Sequence, residues 1–114
     1  MTDNKKIIVK KLTTIGLPVI NELFFTTDNE LPCITYTQQN DIQTARGNTL
    51  GYSRQYFVVS IWAKKEEELM NYIQKIDDVM RELNCDRTNS SDSWADNVGR
   101  IANTYEVLIK ETYK

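Results

Sequence analysis

The sequence predicts an α+β domain: one mixed, mainly antiparallel sheet of four to five strands, two helices packed on one face, and a long hairpin arm. Three observations carry that expectation. Residues 64–84 repeat Leu69, Ile73, Ile76, Met80 and Leu83 at spacings of four and three, which draws one continuous apolar stripe along a helix. In residues 52–63, Phe57, Val59 and Ile61 point one way while Tyr56, Val58, Ser60 and Trp62 point the other, so both faces are apolar and the strand is central. Between this strand and the one before it lies a polar stretch, 40–51, too long for a tight hairpin turn.

The chain has 114 residues, which fits a single domain spanning 1–114 with its own core. Residues 3–15 read as the first helix, because Ile8, Leu12 and Ile15 share a face, Asp3 or Asn4 can cap it, and Gly16 is a left-handed stop ahead of Pro18. Lys5, Lys6, Lys10 and Lys11 line its other side and read as a solvated face, with a DNA-binding stripe as the alternative. Residues 19–25 are β-branched and aromatic and read as a short strand, followed by a polar turn at 26–30. Residues 31–39 form a second strand with Pro32 near its start, where a missing amide donor is tolerated. The 40–51 stretch reads as an arm that acquires order in an assembly, or as an ordinary loop. Glu66, Glu67 and Glu68 crowd the first turn of the second helix, where the helix dipole favours each by about 0.3–1 kcal/mol, and Asn84 can end that helix in a left-handed conformation. Residues 85–93 begin extended and then read as a polar loop continuing to Gly99. Residues 100–113 form the last strand, with Ile101, Asn103, Tyr105, Val107 and Ile109 on one face. Both helices can bury their stripes on one sheet face, which leaves Tyr56, Val58 and Trp62 on the other as an association surface.

Composition excludes much chemistry. There is no histidine, so no Ser-His-Asp or Cys-His pair, no imidazole base and no His-containing zinc site. Cys33 and Cys85 match no metal-binding spacing; they read as two reduced, partly buried thiols, with a disulfide as the alternative. Asp77–Asp78 and Glu66–Glu68 occupy adjacent helical positions that do not converge, so they read as solvated carboxylates. Asp92, Asp96 and Glu106 give only a weak signal for a divalent cation held by loop oxygens. Gly47 and Gly51 precede neither a Lys-Ser/Thr pair nor a helix, so they make no phosphate loop. Arg46, Arg54, Arg87 and Arg100 are ordinary surface arginines or intersubunit ion-pair partners. Tyrosine and arginine interleave at 52–56 as in a single-strand nucleic-acid platform, but 14 basic against 16 acidic residues leave a net charge of −2, which argues against one. No catalytic, cofactor-binding or metal-binding residue is nominated, and the chain is expected not to be an enzyme. The polar N-terminus and short apolar runs predict neither targeting peptide nor membrane span, hence folding in the cytoplasm.

The ordered strands carry a resemblance. Leu31-Pro32-Cys33-Ile34-Thr35-Tyr36 resembles a strand start common in small tail completion (tail terminator) proteins of tailed bacteriophages. Phe57-Val58-Val59-Ser60-Ile61-Trp62, followed by a charged helix, is similar to their central strand and second helix. The helix end at 78–83 leading into 87–91, and the last strand Arg100-Ile101-Ala102-Asn103-Thr104-Tyr105-Glu106-Val107, also resemble that family, so the likeness runs over about residues 5–112. One departure is Asn84-Cys85, where relatives often place glycine; asparagine tolerates the left-handed conformation.

The resemblance implies a structural virion protein, assembled in the host cytoplasm, that forms a ring, commonly a hexamer, on the head-proximal end of the tail tube. The ring stops tube polymerisation and presents a surface to the head connector or stopper, while DNA passes through its lumen without specific binding. The implied partners are further copies of the chain, the tube protein and the connector, with no membrane and no cofactor. Interface residues are then expected among Arg46, Asn48 and Leu50 on the arm, Tyr52, Arg54 and Tyr56 on the central strand, and Trp94. The alternatives are another head–tail connector or stopper subunit, or a nucleic-acid-binding regulatory module.

Overall fold

A computed structural model describes residues 4–26, 30–43 and 52–107. The element order is α1 (Asn4–Thr13), β1 (Val19–Asn21), a 3-10 turn (Glu22–Phe24), β2 (Cys33–Gln43), β3 (Tyr52–Ala63), α2 (Glu66–Glu82), β4 (Cys85–Ala95) and β5 (Val98–Val107). The strands form one five-stranded sheet in the order β1-β2-β3-β5-β4. Among the described residues β1 and β2 pair parallel and the other three pairings are antiparallel, the mixed, mainly antiparallel sheet that the sequence predicts.

The core lies between one sheet face and both helices. Ile8 and Leu12 of α1 and Leu69, Ile76 and Met80 of α2 close over Ile34, Phe57, Val59, Ile61 and Tyr105. Burying such side chains contributes roughly 1.5–3 kcal/mol each. The predicted stripe of α2 is the buried one, with Ile73 and Leu83 half-buried at its margins. Gly16 after α1 and Asn84 after α2 have φ of +99° and +58°, the left-handed stops the sequence called for. Lys11 of α1 reaches Glu82 of α2 at 3.1 Å and ties the helix pair together.

Three expectations change. The strand expected at 19–25 stops at Asn21, whose side-chain oxygen accepts from the Leu23 N–H at 3.1 Å and turns the chain into the 3-10 turn. Residues 22–25 then lie over the sheet face away from the helices, where Phe25 stacks on Trp62 with ring centroids 4.4 Å apart. That face is therefore covered at one end and open only further along. The loop expected at 89–97 is instead β4, eleven residues joined to β5 through a two-residue turn. Asp96 and Asn97 sit in that turn with φ of +51° and +64°, the pair of left-handed residues that a tight hairpin demands. Finally, the β2–β3 ladder runs on to Gln43 opposite Tyr52, so residues 40–43 belong to a strand. The rest of the predicted arm, 44–51, lies outside the described residues.

Candidate interaction surface

Two side-chain constellations stand out, one on each face of the sheet. On the face away from the helices, Arg100 ion-pairs with Glu22, and its Nε–H donates to Ser60 Oγ at 3.2 Å. The Arg100 guanidinium also lies 4.9 Å from the Trp62 ring centre. Trp62 Nε1–H donates to Thr35 Oγ1 at 2.8 Å, and Thr37 Oγ1–H donates to Glu22 at 2.7 Å. Residues 22–25 thus seal Cys33, Thr35 and Ser60 from water. Arg100, a candidate for contacts between subunits, is used inside the chain.

On the helix face, Asp77 is buried, against the expectation of a solvated carboxylate. Arg81, one turn on along α2, is 3.0 Å away; from the sheet, Arg87 of β4 comes within 3.7 Å and Tyr105 of β5 donates its hydroxyl proton to Asp77 Oδ1 at 3.2 Å. Asn103 Nδ2 donates to the Tyr105 oxygen at 2.9 Å. Burial raises the Tyr105 phenol well above its ordinary range, and the nearby Asp77 carboxylate adds to the rise. Asn103 is fully buried, and its Oδ1 has no hydrogen-bond partner among the described residues. It lies in a cleft of about 320 Å³ between α2 and β4, whose rim includes Arg87, Ser90, Ser91 and Asp92. Asp78, next to Asp77, stays exposed and accepts from Gln74 at 3.1 Å.

Both thiols are free and buried. Burial raises Cys33, and burial with the neighbouring Asp86 carboxylate raises Cys85 to about 11. No group of three or more acidic or cysteine side chains among the described residues is arranged to hold a metal ion. No helix of the described residues is long and apolar enough to cross a membrane.

The predicted interface residues are scattered. Arg46, Asn48 and Leu50 lie outside the described residues. Tyr52 and Arg54 begin β3, in register with Gln43 and Asp41. Tyr56 is half-buried on the face away from the helices, between Gln39 and Glu106. Trp94 is half-exposed on the opposite face of β4, with its ring over Gly99: a Cβ there would come within 2.8 Å of the ring and 2.5 Å of Leu69. Tyr56 and Trp94 therefore do not form one patch.

Sequence reading missed the longest open feature, the outer edge of β4. This strand is exposed from Asp86 to Ala95 and has no strand outside it among the described residues. It carries neither lysine nor proline, the residues that usually blunt such edges. Its signal was the Asp96-Asn97 pair between two extended segments. Neither a protein-family model nor a curated protein matches this chain.

Proposed function

We propose that this protein is a phage tail terminator: a ring-forming virion subunit that caps the head-proximal end of the tail tube, stops its growth and receives the head connector. What supports this reading is the position of the segments that resemble the family. Of the segments Leu31–Tyr36, Phe57–Trp62 and Arg100–Val107, the first enters β2 at Cys33 and the others fall on β3 and β5, three adjacent strands in register through Ile34, Ile61 and Ile101. Segments far apart in the chain that resemble one family thus make up one contiguous structural unit. A ring also needs two unlike surfaces on each subunit, and this sheet has two unlike edges: three residues of β1 on one side and eleven of β4 on the other.

The test is polymerisation of the cognate tube protein with and without this chain, with tube lengths and ends read by electron microscopy. Capped tubes of limited length, with extra density at one end, are the expected result. Unchecked tube growth and bare ends would overturn the proposal.

A further inference from the structure

Resting on that reading, we propose that successive subunits join edge to edge, the outer edge of β4 in one copy pairing antiparallel with β2 beyond Thr37 in the next. Strand direction alternates from β2 through β3 and β5 to β4. A β2 strand placed outside β4 continues that alternation and keeps the helices of both copies on the same side of one extended sheet. β1 pairs with β2 only at residues 34–36, so residues 37–43 have no strand on their outer side among the described residues. Backbone groups on both edges would then find partners.

Charge points to the same pairing of unlike edges. Beside β2, α1 exposes Lys5, Lys6 and Lys10 around Tyr36. Beside β4, the exposed charges include Asp86 and Asp92, with Glu66 and Glu67 on the neighbouring turn of α2, while Arg81 and Arg87 are turned to Asp77. Edge pairing would bring α1 of the next copy alongside α2, its lysines facing the cleft that holds Asp92 and the unpartnered Asn103 Oδ1. An ammonium group is a donor of the kind that Asn103 Oδ1 lacks and a counter-charge for Asp92. Pairing β4 with β4 in a closed dimer would set the acidic edges against each other instead.

Mass photometry and sedimentation of the purified chain at low salt test this arrangement, with Asp92→Lys and Lys10→Glu as variants and circular dichroism to confirm that each folds. The wild type is expected to assemble beyond a dimer, and each single variant to shift the midpoint of assembly at least about tenfold in concentration. An equimolar mixture of the two variants should regain wild-type assembly, since each altered edge then meets its complement. Any of three results would overturn the pairing: a wild type that stays monomeric to about millimolar concentration, a two-copy species indifferent to Lys10→Glu, or assemblies unaffected by either variant. The tube-capping assay separates the two proposals. Tubes capped by rings that ignore both variants would leave the terminator reading standing without this interface. Edge pairing that passes while tubes grow unchecked would do the reverse.

Discussion

Asp77 is the charged side chain buried in the core among the described residues. Its carboxylate accepts from Tyr105 and faces two arginines that approach from the solvent side. Removing it leaves a buried hydroxyl without an acceptor, so Asp77→Ala is expected to cost about 1–3 kcal/mol. Tyr105→Phe removes the orphan as well, and the double variant should lose less than the sum of the singles, as measured by urea unfolding. The buried acids also set an alkaline limit. Cys85, whose ordinary value is 9.0, is held at about 11 in the fold, and Cys33 and Tyr105 are shifted in the same direction. A raised folded value means that the folded state keeps its proton longer than the unfolded chain does. The stabilising contribution is therefore whole below about pH 9 and fades as pH rises through 11. The urea midpoint should fall between pH 8.5 and pH 10.5, and fall less steeply in Cys85→Ala.

At the scale of elements, the β4–β5 hairpin shows how little side-chain pattern a strand needs. Its eleven residues are almost all exposed and polar, and its register slips once between Arg87 and Asn89. What holds it is the ladder to β5 and the left-handed pair at its tip. Asn97→Gly should relieve the conformational cost at φ +64° and raise stability by about 0.5 kcal/mol, whereas Asn97→Val should lower it by about 1 kcal/mol or more. Thermal unfolding of the two variants side by side checks the sign of each. The stretch 22–25 is the opposite case: a short apolar and acidic segment becomes a strap because Trp62 and Arg100 on neighbouring strands receive it.

Over the whole molecule, the sheet is stiffest in the middle. β3 and β5 are each flanked on both sides, and their inward residues Phe57, Val59, Ile61, Ala63, Tyr105 and Val107 form the sheet's main share of the core. Amide exchange in the dilute chain should be slowest there and, among the strands, fastest at the outward-facing amides of β4. Protection of those β4 amides on assembly would register the proposed edge pairing directly. Equal protection of β4 and β3 in the monomer would contradict the topology.

The amino-acid sequence alone determined what periodicity can encode. The stripe of α2, the two-sided apolar pattern of β3, the inward face of β5 and the stops at Gly16 and Asn84 are local signals that packing then used unchanged. Tertiary structure decided the rest, because it depends on what comes from elsewhere in the chain. Asp77 is buried because Tyr105 supplies a donor from β5 while Arg81 and Arg87 supply charge. β4 is a strand because β5 offers it backbone partners, whatever its side chains. Tyr56 and Trp94 look alike as exposed aromatics in one dimension, yet pleating sends them to opposite faces of the sheet.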